Sequence, residues 1–69
     1  MLRENRIVIT QDGRYYVGRW QERRCGVWVM SGYAVGLSPA EAEAKLRVKH
    51  ARELAEVTTV VHRYEGAHR

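Results

Sequence analysis

The tetrapeptide Ser38-Pro39-Ala40-Glu41 divides this chain. A serine that can accept a hydrogen bond, a proline at the first helical position and a glutamate two residues further on together form a helix start, because the serine and glutamate oxygens accept from N–H groups that would otherwise lack partners and proline has no N–H to leave unpaired. Residues before it are rich in β-branched and aromatic types; residues after it show helical spacing. The expected fold class is therefore α+β, with strands first and a helix after them.

Before the helix, Arg6-Ile7-Val8-Ile9-Thr10 reads as a strand, and Asp12-Gly13 behind it reads as a type I′ hairpin turn. Tyr15-Tyr16-Val17-Gly18-Arg19-Trp20 forms a second strand, Gln21-Glu22-Arg23-Arg24 a turn, and Val27-Trp28-Val29-Met30 a third strand. The result is a three-stranded antiparallel meander with the second strand central. Alternation puts Ile7, Ile9, Tyr16, Trp20, Cys25, Val27 and Val29 on one face, with Gly18 leaving room for a helix. The other face carries Arg6, Val8, Thr10, Tyr15, Val17, Arg19, Trp28 and Met30. The segment Ser31-Gly32-Tyr33-Ala34-Val35-Gly36 either continues the third strand past a bulge or forms a loop.

In the helix, Ala40, Ala44, Val48, Ala51 and Ala55 recur every three or four residues, a stripe of small side chains suited to close packing on the sheet. Leu37 is placed to staple the first turn. Leu46, His50 and Val57 then point outward, which makes Leu46 and His50 candidate subunit contacts in a homodimer. Val57-Thr58-Thr59-Val60-Val61-His62 predicts a fourth, C-terminal strand on a sheet edge. The domain is expected to span residues 1–64, with 65–69 a frayed tail.

At 69 residues the core is thin, since a chain this short buries only about 60% of its unfolded surface. Small domains often supplement such a core with a disulfide, a metal or a second subunit. Cys25 is the sole cysteine, which excludes an internal disulfide and a cysteine-based zinc cluster. A lone thiol suits a reducing cytosol, with a secreted protein carrying an odd cysteine or a Cys25 link between subunits as the other options. Residues 1–6 lack a signal-peptide apolar region and no apolar run approaches a membrane span, so the expected setting is cytoplasmic.

Catalysis needs a nucleophile or paired acid and base in a pocket. Asp12 serves a turn, the glutamates lie mostly on the helix, and His50, His62 and His68 lack metal-site spacing. The glycines follow no phosphate-binding pattern, so neither an enzyme nor a cofactor is expected.

The net charge is +4, with a sequence pI near 9.7. Six arginines against Glu4, Asp12 and Glu22 give +3 over residues 1–37; the helical segment 38–56 balances four acids with four bases; residues 57–69 add +1. The surplus belongs to the meander, beside its exposed aromatics. Arg6, Arg14, Tyr15, Arg19, Arg23, Arg24 and Trp28 are accordingly the candidate binding residues. Three covers for that face stay open: a nucleic acid, a protein partner using Trp, Tyr and Arg, or the fourth strand, the tail or a second subunit.

The run from Asp12 to Trp20, the strand Gly26-Val27-Trp28-Val29-Met30 and the helix entry Leu37 to Ala44 resemble the arm-type DNA-binding domains of tyrosine recombinases. That resemblance implies a short sheet entering the major groove, a helix behind it, and DNA contacts from Arg14, Tyr15, Arg19, Arg23, Arg24 and Trp28. The first and last strands here are additions to that pattern, and these 69 residues do not include a catalytic domain. Residues 7–18 are also similar to the opening hairpin of HicB-type antitoxins, although the proline-glycine-cysteine turn is missing and the charge is reversed. Stand-alone arginine-rich domains of this size are common in phages and other mobile elements, where many inhibit or regulate a host protein.

Overall fold

A computed structural model describes residues 4–64. Strands β1 (Asn5–Asp12), β2 (Tyr15–Arg24) and β3 (Val27–Gly36) form the antiparallel meander. Helix α1 (Pro39–Lys49) and a short turn of helix, α2 (Ala51–Leu54), then cross one face to strand β4 (Val60–Arg63). The sheet order is β3-β2-β1-β4, with β4 parallel to β1. The α+β expectation with a fourth strand is met. The residues expected to form a frayed tail, 65–69, lie outside the described residues.

Both turns sit further along the chain than expected. Asp12 pairs with Tyr15, so the first loop is Gly13-Arg14, with Gly13 alone at positive φ (65°). Glycine at the first central position is what a type II′ hairpin requires. Arg24 pairs with Val27, so β2 runs through the stretch read as a turn and the loop is Cys25-Gly26. Both residues there have positive φ, 52° and 79°, as a type I′ turn demands. Cys25 is exposed in that turn, not buried in the core, and Gly26 serves the turn. A side chain in the left-handed region costs about 1–2 kcal/mol, and asparagine tolerates it best. Cys25→Asn should therefore stabilise the domain by roughly 1 kcal/mol or less; an unchanged or lower midpoint in urea would contradict the strained turn.

The shift in β1–β2 register leaves the faces unchanged, because partners move by an even number of residues. Ile7, Ile9, Trp20 and partly buried Tyr16 do line the helix side. Val27 and Val29 share that side but stay exposed, since the helix ends before reaching them. The segment 31–36 is strand, with an irregularity between Trp20 and Gln21 across from it.

Ser38 caps α1: its Oγ accepts the Glu41 N–H at 3.0 Å, and the Glu41 carboxylate accepts the Leu37 N–H at 2.8 Å. That backbone N–H, helped by Lys45, holds the Glu41 carboxyl below its ordinary pKa. Its contribution to stability is present above the unfolded-state pKa and fades as pH falls through the lowered folded value. Leu37 itself is exposed and staples nothing.

The helix presents a different stripe from the one expected. Ala42 and Leu46 are fully buried, Leu54 and Val57 complete the core, and the His50 ring packs on Trp20 at 4.9 Å. Ala40, Ala44, Ala51 and Ala55 are exposed, and Val48 is 80% exposed. Leu46 is thus an internal contact, which removes it as a candidate subunit contact, while His50 is half-buried against Trp20. Glycines set this rotation. A Cβ on Gly18 would lie 3.3 Å from the Ala42 carbonyl oxygen, and one on Gly36 only 2.6 Å from the Ala42 nitrogen. Arg47 then locks the return: it pairs with Glu43 at 2.9 Å and donates to the carbonyls of Leu54 (3.1 Å) and Val57 (3.0 Å). Val57 lies in the approach to β4, which starts three residues later than expected.

Candidate nucleic-acid interface

With the helix on one side, the other side of the meander has no element packed over it among the described residues. Period-two alternation and the observed register place its side chains in rows. Across β2 and β3, Val17 faces Val35, Arg19 faces Tyr33, Gln21 faces Met30, and Arg23 faces Trp28. On β1 the same face carries Arg6, Val8 and Thr10; on β4 it carries Val61 and Arg63, whose partners are Val8 and Thr10. Tyr15, Met30, Tyr33 and Val35 are exposed, while Val8 is buried among its neighbours.

The arginines are held in place by their surroundings. The Arg6 guanidinium lies 4.1 Å from the centroid of the Trp28 ring and its Nε donates to the side-chain carbonyl of Gln21 at 2.7 Å. Arg23 approaches the same ring at 5.8 Å and pairs with Glu4 at 3.5 Å. Both members of that pair are well exposed, so it neutralises little. Arg19 donates to the Thr10 hydroxyl at 2.7 Å. Arg6 and Arg19 therefore have neutral partners that restrict their rotamers without compensating their charge, which lowers the entropy lost when an anion is bound.

Arg19 and Arg63 flank a shallow depression of about 300 Å³ shared with Thr10, Gln11 and Asp12. Arg14 stands in the adjacent turn. A larger open groove, about 570 Å³, lies at the opposite end against the α2–β4 connection. There Arg6 and Arg52 meet Glu4, Glu53 and Glu56, a mixed lining with no preference for anions. Counting Arg6, Arg14, Arg19, Arg23 and Arg63 against Glu4 and Asp12 gives this face +3.

Of the expected binding residues, Arg6, Tyr15, Arg19, Arg23 and Trp28 meet on this face, with Arg14 at its end. Arg24 does not join them. It lies on the helix side and donates to buried Glu22 at 2.8 Å, beside the Ser31 hydroxyl on the same carboxylate oxygen. Tyr33, Val35 and Arg63 belong to the face although local pattern did not single them out. The alternation of β3 beyond its bulge would have found the first two, and the Val61/Arg63 alternation the third. Lys49 reaches round from the helix to the Tyr33 carbonyl at 3.2 Å and lies 5.3 Å from the Tyr33 ring.

Among the described residues no three His, Cys, Asp or Glu side chains converge on a common point, and no helix is long and apolar enough to cross a membrane. In comparisons with protein-family models, curated proteins and solved structures, nothing matches this chain.

Proposed function

We propose that this protein is a non-enzymatic, cytoplasmic nucleic-acid-binding module that uses the open face of its sheet. The observation that carries this reading is the placement of Arg6, Arg19, Arg23 and Arg63 on one helix-free face, with exposed Tyr33 beside Arg19 on the edge strand and exposed Tyr15 at the hairpin end of β2. Arginines supply phosphate contacts and the tyrosine rings supply apolar surface against bases or sugars. An open sheet face backed by a helix is also the arrangement implied by the resemblance to arm-type DNA-binding domains.

Fluorescence anisotropy on a labelled duplex tests it. Affinity should fall steeply with salt, because each phosphate contact releases a counterion and contributes about −0.9 to the slope of log K against log salt. Arg19→Ala and Arg63→Ala should each reduce the magnitude of that slope by about one. No binding at low salt, or binding indifferent to both substitutions, ends this reading.

One observation favours a protein partner instead. Met30, Tyr33 and Val35 expose apolar surface next to an Arg6–Trp28 stack, and Trp, Tyr and Arg dominate interface hot spots. An inhibitor or regulator of a host protein would use the same face. Its binding would respond to Trp28→Ala and depend weakly on salt.

A further inference from the structure

We infer that two copies of this chain join edge to edge through the first half of β3, giving a two-fold dimer with one continuous eight-stranded sheet. This inference stands on β3 and does not depend on what the open face binds.

A sheet edge presents unpaired backbone N–H and C=O groups, and monomeric proteins protect such edges with shortness, charge or proline. The two edges here differ. β4 has four residues and carries Arg63. β3 has ten residues, Val-Trp-Val-Met-Ser-Gly-Tyr-Ala-Val-Gly, without a single charge or proline in a chain that is 29% charged. Its first half also projects beyond the helix. Val27 is 60% exposed and Val29 40% on the helix side, while Met30 is 54% exposed on the open side. Among the described residues, backbone and side chains of this stretch are thus uncovered together.

Charge selects the occupant. The positive surplus of the chain lies with its strands rather than its helix, and like charges directly opposite destabilise paired strands. Of the two sheet edges, β3 is the one where copies can meet without that penalty. A two-fold contact requires each strand to be its own complement, which a neutral apolar strand satisfies. Lys49, bound to the Tyr33 carbonyl, occupies the far end, so pairing is placed at Val27–Ser31. Antiparallel pairing centred on Val29 sets Val29 against Val29 of the second copy and Trp28 against its Met30. Both faces then stay in register.

Light scattering and sedimentation on the intact chain should give twice the 8.0 kDa chain mass. Val29→Lys should give a monomer, as should Val29→Glu, since each opposes like charges across the axis. An equimolar mixture of the two should restore the dimer. Circular dichroism establishes that each variant is folded. Amide hydrogen exchange on the unaltered protein supplies a readout without substitution: the amides of Val27–Ser31 should slow as concentration rises. A wild-type chain that stays at 8.0 kDa into the millimolar range overturns the inference. So do a dimeric Val29→Lys variant or a mixture that fails to re-associate. Because Val29 lies on the helix side, these variants leave the arginine face intact, and duplex binding reports on that face separately.

Discussion

Replacing Gly36 by alanine should be among the most damaging single-methyl changes available to this protein. The added Cβ would sit 2.6 Å from the Ala42 nitrogen and 3.0 Å from both the Glu41 carbonyl carbon and its Cβ. Two of those three atoms are helix backbone, and the Ala42 N–H is already engaged with the Ser38 carbonyl at 3.0 Å, the first hydrogen bond of α1. Nothing there is the flexible end of a side chain. Either the helix start lifts from β3 or the cap geometry breaks. Overpacking of this kind typically costs about 1–3 kcal/mol and sometimes more, and an obstacle made of helix backbone puts Gly36→Ala at about 3 kcal/mol. A 69-residue domain holds roughly 3–10 kcal/mol in all. The melting midpoint should therefore drop by about 15 °C or more, with much of the protein unfolded at the weak end of that range. Gly32→Ala should cost less, because its obstacle is the His50 ring, a side chain that can shift against Trp20. Gly18→Ala should cost least, its nearest contact being 3.3 Å. Thermal melts of the three variants check this order, and a Gly36→Ala protein as stable as the wild type would mean that α1 does not start on Gly36.

Those glycines explain which parts of the fold are legible in the sequence. Helix initiation is a local property, and Ser38, Pro39 and Glu41 act as their chemistry demands. Strand identity and face assignment in β1 and β2 are nearly local too, since a period of two survives a register error of even size. The turn positions are harder. Asp12-Gly13 and Gly13-Arg14 both place a glycine where positive φ is needed, and strand length, a tertiary quantity, decides between them. Cys25 eludes local pattern for the same reason: a cysteine in a left-handed turn is disfavoured locally and is tolerated because β2 and β3 extend to meet there. The helix face is the largest departure. Small residues at Ala40, Ala44 and Val48 suggest close packing, but the close approach is made possible by the sheet's glycines, which accept the larger Leu46. The arginine face is legible in outline from alternation. Its members beyond the bulge near Ser31, and Arg63 on β4, depend on elements whose limits local pattern does not define.

Two alanine substitutions on one helix separate the expected packing from the observed one. Leu46 is completely buried, 3.6 Å from where a Gly18 Cβ would stand, and it belongs to the same cluster as Ile7, Ile9 and Trp20. Leu46→Ala empties the middle of the layer between helix and sheet, and large-to-small changes at such sites cost about 2–5 kcal/mol. Val48, two residues on, is 80% exposed, so Val48→Ala should move stability by no more than about 0.5 kcal/mol. Urea denaturation measures both, and near-equal losses would restore the Ala40–Val48 stripe as the packing face. The comparison bears on function as well. With Leu46 inward, Arg47 can hold the Leu54 and Val57 carbonyls and deliver β4 to the edge of β1. Arg63 comes to the open face on that strand, beside Thr10 and Arg19. A loosened Leu46 should thus weaken anion binding at Arg63 without touching it, whereas Val48→Ala should leave both the fold and the arginine face as they are.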